Sequence, residues 1–146
     1  MKDYQRILVG TDFSEASVAA ARRGADLARR YGASLTLLHV VEHFPENMPA
    51  DSVAPENRDP ATFYRERARH NLAELANEIG HRNAAQMVIM STGSARYEIL
   101  RFSEQERMDL IVLGARGGGA LQAFGSTAMG VIYDAPCDAM TIRAAE

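Results

Sequence analysis

Five short apolar runs punctuate this chain, and a helical pattern fills each of the four intervals between them. The runs are Ile7–Gly10, Leu35–Val41, Ala85–Met90, Leu110–Leu113 and Asp138–Arg143, the last of which alternates apolar with polar residues. Between the first two, Ser14 to Tyr31 carries Val18, Ala21, Ala25 and Ala28 at helical spacing. Asp12 or Ser14 is placed to cap this helix and Gly32 to stop it. Asp59-Pro60 reads as a cap and first helical position. The helix it opens runs through Ala68, Leu72, Leu75, Ala76 and Ile79 to Gly80. Tyr97–Glu106, after the turn Thr92-Gly93-Ser94, and Ser126–Tyr133, ended by Ala135-Pro136, supply two shorter helices. Parallel strands need crossover connections, so this order implies a parallel sheet with helices on both faces. Ile7–Gly10 and Leu110–Leu113 are apolar throughout, as central parallel strands are. The expected class is α/β: an open five-stranded parallel sheet of Rossmann-like or flavodoxin-like kind.

A chain of 146 residues without an internal repeat or composition break reads as a single domain, 1–146. The net charge of −3 argues against a nucleic-acid partner. Cys137 is the only cysteine, which excludes an intrachain disulfide and suits a reducing cytoplasm. It reads as a small packed residue rather than a nucleophile. The polar Met1–Arg6 runs straight into a strand, so no signal peptide is expected. No apolar run approaches the roughly 20 residues of a membrane span, so no membrane association is expected and the localisation reads as cytoplasmic.

Ligands in open parallel sheets bind at the carboxyl ends of the strands, where the strand order reverses. This chain places there Thr11 and Asp12, Val41 and Glu42, Thr92 and Gly93, and a glycine loop. The loop is Gly114-Ala115-Arg116-Gly117-Gly118-Gly119, followed by Gly125-Ser126-Thr127 at the start of a helix. Unpaired N–H groups and the helix dipole favour an anion there, and glycine allows close backbone approach. The plainer alternative is a strand-to-helix loop that needs positive φ. Arg116 adds a guanidinium able to pair with phosphate. Asp12 either caps the next helix or offers a carboxylate to a hydroxyl or metal. Residues 43–59, with Pro45, Pro49 and Pro55, form a loop long enough to cover a ligand or partner.

Other polar residues have simpler readings. His39 lies within a strand and reads as a packed core histidine. His43, His70 and His81 are dispersed without metal-ligand spacing, so no protein metal site is expected. Arg65, Arg67 and Arg69, with Glu66 and Glu74, form a solvated helix face. There is no serine elbow or nucleophile–base pair, so no catalytic residues are expected.

Ile7–Ser14, Leu37–Val41, Asp109–Gly114, Gly125–Ala128 and Ala135–Asp138 occur in an order and context that resemble the universal stress proteins. The resemblance spans nearly the whole chain apart from the proline-rich loop. It implies sheet order 3-2-1-4-5, a cytoplasmic location and a homodimer paired through the last strand. Some members of the family bind ATP through a loop with two residues between its first glycines and nine before the next; others bind none. Here two residues separate Gly114 from Gly117, and seven separate Gly117 from Gly125. The resemblance implies ATP, with Mg2+ held through its phosphates. Thr11 and Asp12 would lie at the ribose, with Asp12 contacting it, and the Val41 backbone would read adenine. Gly114, Gly117, Gly125, Ser126 and Thr127 would hold phosphates. Three functions stand: a nucleotide-binding stress protein acting on protein partners, a nucleotide-free dimeric interaction protein, and a slow ATPase. The lack of a general base near the loop weighs against the last.

Overall fold

In the computed structural model, the described residues are 3–44, 59–115 and 123–144. The elements are β1 (Arg6–Gly10), α1 (Glu15–Tyr31), β2 (Ser34–Val41), α2 (Pro60–Glu78), β3 (Ala85–Met90), α3 (Ala95–Gln105), β4 (Leu110–Gly114), α4 (Ala123–Asp134) and β5 (Asp138–Ile142). All pairings are parallel and the sheet order is β3-β2-β1-β4-β5. The alternation of elements therefore gives the expected open five-stranded sheet.

Local chemistry sets most of the boundaries. The Ser14 side chain caps α1 by accepting from the Ser17 N–H, and Gly32 ends the helix at a φ of 66°. The Asp59 carboxylate accepts from the Thr62 N–H, with Pro60 opening α2. Ser94 caps α3, which begins at Ala95 rather than Tyr97 because the Thr92-Gly93-Ser94 turn runs directly into it. α4 begins at Ala123 rather than Ser126, so Gly125 and Ser126 lie within its first turn.

The alternation of strand side chains divides the core in two. Ile7, Val9, Leu35, Leu37, Leu110 and Val112 pack with the alanines of α1 and with Leu72 and Leu75 of α2. Leu8, Leu38, Ile111 and Leu113 pack on the other face with Ile99 and Phe102 of α3 and Val131 of α4. Each fully buried Leu or Ile contributes roughly 1.5–3 kcal/mol. α1 can approach the sheet closely because its inner face is small: a β-carbon on Gly24 would lie 2.6 Å from Val9 Cγ2. The entry to β1 is pinned by Asp109, whose carboxylate accepts from the N–H groups of Gln5 (2.9 Å) and Arg6 (3.1 Å). β3 and β5 are the edges. Among the described residues, no helix is long and apolar enough to cross a membrane.

Candidate functional site

The strand order reverses at β1, whose neighbours β2 and β4 are reached by connections in opposite directions. The carboxyl end of β1 therefore borders the crevice where open sheets hold ligands. Thr11 leaves the ladder after its N–H donates to the Leu38 carbonyl at 2.9 Å. Its buried Oγ1 accepts from the Phe13 N–H at 2.9 Å and lies 2.9 Å from Ser17 Oγ. Ser17 Oγ gives its one hydrogen to the Ser14 carbonyl, so Thr11 is the donor in that hydroxyl pair.

Asp12 Oδ1 accepts from the Ser14 N–H at 3.0 Å. The helix cap is thus Ser14, and Asp12 shapes the turn that leads into it. Phe13, between them, has a φ of 64°, a region bulky side chains rarely enter. The turn is braced from β2. His39 Nδ1 lies 2.8 Å from the Thr11 carbonyl, and its ring centroid lies 4.7 Å from that of Phe13. A carbonyl only accepts, so Nδ1 carries the proton. Burial lowers the His39 pKa, opposed by the Thr11 carbonyl and by the charges of Asp12 and Glu42. His39 is thus a packed histidine, as its strand position implied, but one with a specific polar task.

At the end of β2, the Val41 carbonyl accepts from the Ser91 N–H at 3.0 Å and keeps a second lone pair. Glu42 Oε2 accepts from the Ala95 N–H at 2.9 Å, so the N-terminus of α3 already holds a carboxylate of this chain. His43 and Phe44 then donate to the carbonyls of Gly93 and Ser91, which carries the backbone past the end of β3. Most of the long loop, residues 45–58, lies outside the described residues.

The glycine segment divides. Gly114 is buried in β4, and a β-carbon there would lie 2.7 Å from the Ala16 carbonyl carbon. Its lack of a side chain is therefore required by α1 whatever it does for a ligand. Ala115 N–H donates to the Ile142 carbonyl at 2.7 Å. Arg116 and Gly117 lie outside the described residues. Gly125 and Ser126 belong to the first turn of α4, and Thr127 is buried in the same helix. Among the described residues, no group of three or more His, Cys, Asp or Glu side chains is arranged to hold a metal. Cys137 is half-buried, and burial, with Asp138 and Asp109, pushes its thiol up to about 11, away from a reactive thiolate.

Sequence reading did not find three of these features. The link from His39 to Thr11 joins residues distant in the chain, and a phenylalanine gives no signal of positive φ. Glu42 stood beside the strand end, but nothing local showed that it reaches α3.

A parallel sheet whose strand order reverses at β1, with helices packed on both faces, defines a doubly wound α/β protein. A family model described as the universal stress protein family matches residues 3–143, and the chain belongs to that family. It is 28% identical over 140 residues to universal stress protein A homolog 1 of Coxiella burnetii, covering 95% of this chain and 96% of the relative. The solved structure of UspA from Lactobacillus plantarum is similar at a TM-score of 0.75 and 31% identity, covering 98% of this chain and 100% of that one. Two further universal stress protein structures share the fold. One, from Archaeoglobus fulgidus, is in complex with dAMP (TM-score 0.65, 20% identity, covering 97% of this chain and 99% of that one). The other is in complex with cAMP (TM-score 0.68, 18% identity, covering 99% and 100%).

Proposed function

We propose that this protein binds an adenine nucleotide at the carboxyl ends of β1 and β4 and acts in the cytoplasm as a stress-response regulator whose occupancy tunes protein partners. The observation that carries this reading is the Asp12 turn at the switch point. One carboxylate oxygen holds the turn through the Ser14 N–H, and the other, which has no hydrogen bond among the described residues, would meet a ribose hydroxyl. The cAMP and dAMP complexes of the two relatives support adenine as the shared element. Val41 would read the base. Gly114, Arg116, Gly117, Gly125, Ser126 and Thr127 would hold the phosphates beside the N-terminus of α4, since α3 already faces Glu42. Mg2+ would arrive on the phosphates of ATP, because it keeps several waters and needs few protein ligands. The sequence offers no evident general base near the glycine loop, so the expected turnover lies far below the usual enzyme range of roughly 1–1000 per second.

We further propose a homodimer through β5. Its edge is a liability for a lone chain, and antiparallel pairing across a two-fold axis closes it. The seven-residue gap between Gly117 and Gly125 favours a second reading, a nucleotide-free interaction protein of the same fold. Thermal denaturation with and without AMP, cAMP and Mg-ATP distinguishes the two. Nucleotide binding raises the melting temperature by mass action, and Gly117→Val removes the rise. No shift at millimolar nucleotide supports the second reading.

A further inference from the structure

We propose that His39 is a positioning residue for the nucleotide site, holding the Thr11–Ser14 turn in the form that presents Asp12 to the ribose. This rests on the adenine-nucleotide reading above. Phe13 sits at a φ of 64°, so the turn is strained and persists only while its surroundings over-determine it. Most of the bonds that hold it come from the turn or from α1: Phe13 N–H to Thr11 Oγ1, Ser14 N–H to Asp12 Oδ1, and Thr11 Oγ1 to Ser17 Oγ. They shape the turn locally but do not fix it to the sheet beyond the Thr11 N–H bond to Leu38.

His39 supplies that attachment on both sides of Asp12. Its Nδ1–H holds the carbonyl of Thr11, the residue before, and its ring packs on Phe13, the residue after. Asp12 is the residue between these two anchors. His39 also stands two residues before Val41 on β2, so one strand carries the proposed base contact and the brace for the proposed ribose contact. The bond needs only a proton on Nδ1. Because burial disfavours the imidazolium, a neutral ring performs this task near neutral pH.

The test measures AMP and 2′,3′-dideoxy-AMP affinities by calorimetry for wild type, His39→Leu, His39→Asn and His39→Gln, with urea unfolding as a check on folding. Asn offers an N–H near the position of Nδ1, whereas Gln offers it near Nε2. The expected result is a loss of AMP affinity of roughly tenfold for His39→Leu and His39→Gln, as for one lost hydrogen bond, with most of it restored in His39→Asn. On the dideoxy ligand the variants should agree with wild type within about twofold, because Asp12 then has no hydroxyl to hold. If His39→Leu does not fold, the Asn and Gln pair carries the same comparison. Unchanged AMP affinity in the variants, or an equal loss on both ligands, overturns the role of His39 while leaving nucleotide binding standing. A wild type that binds neither ligand at millimolar concentration overturns both.

Discussion

Gly114 and Ala16 meet where the end of β4 passes under the first turn of α1. A β-carbon on Gly114 would lie 2.7 Å from the Ala16 carbonyl carbon and 2.9 Å from its β-carbon. Backbone cannot swing aside as a flexible side chain can. Gly114→Ala should therefore destabilise the fold by roughly 1–3 kcal/mol, the range for overpacking. Urea unfolding should show a lower midpoint at an unchanged slope.

Stability should fall as the pH drops below about 6.5. The His39 and His81 pKa values are both lowered in the folded protein, mainly by burial. Between the folded and unfolded values the unfolded chain binds more protons, so stability rises with pH through that window and the contribution is constant above it. Below the folded values the loss is complete. His39 is the more enclosed of the two and should dominate. His39→Asn should flatten the slope of unfolding free energy against pH in the window just below about 6.5.

Asp109 accepts from two consecutive backbone N–H groups at the start of β1. Both bonds are exposed, so Asp109→Ala leaves the two donors to water and should cost roughly 0.5–1.5 kcal/mol, as for a typical hydrogen bond. Asp109→Asn keeps one acceptor oxygen and should cost less. Denaturant titration of the two variants checks the order.

The dimer reading predicts a specific sensitivity at the C-terminal edge. Proline in place of Met140 or Ile142 removes a ladder donor or distorts β5. Light scattering at micromolar concentration should give a dimer for wild type and a monomer for either variant. A wild-type monomer contradicts the pairing.

The fold was legible because every apolar run is bounded by residues that stop it. Ser14, Asp59 and Gly32 act as their positions imply. The alternation of runs and helical patterns leaves a parallel sheet as the simplest arrangement. The errors cluster where two signals compete. Gly125-Ser126-Thr127 resembles a helix start, yet α4 absorbs Gly125 and Ser126 into its first turn. Gly114 stood first in a glycine loop, which suggested a ligand; that role stays a proposal, and the fold adds a packing constraint from α1. That helix is distant in sequence, and no local pattern reports it. Asp12 was legible as a choice between cap and ligand; the structure gives the cap to Ser14 and leaves Asp12 one committed oxygen. The brace from His39 was invisible because a histidine in a strand has many packed roles.

The central claim is that the crevice between β1 and β4 holds an adenine nucleotide. Calorimetric titration of AMP and Mg-ATP into wild type, Asp12→Ala and Gly117→Val measures this directly. The account predicts saturable binding at one site per chain in wild type, weakened in Asp12→Ala and abolished in Gly117→Val, with both variants still folded. No saturable binding to wild type at millimolar nucleotide, or equal binding by all three proteins, would contradict it.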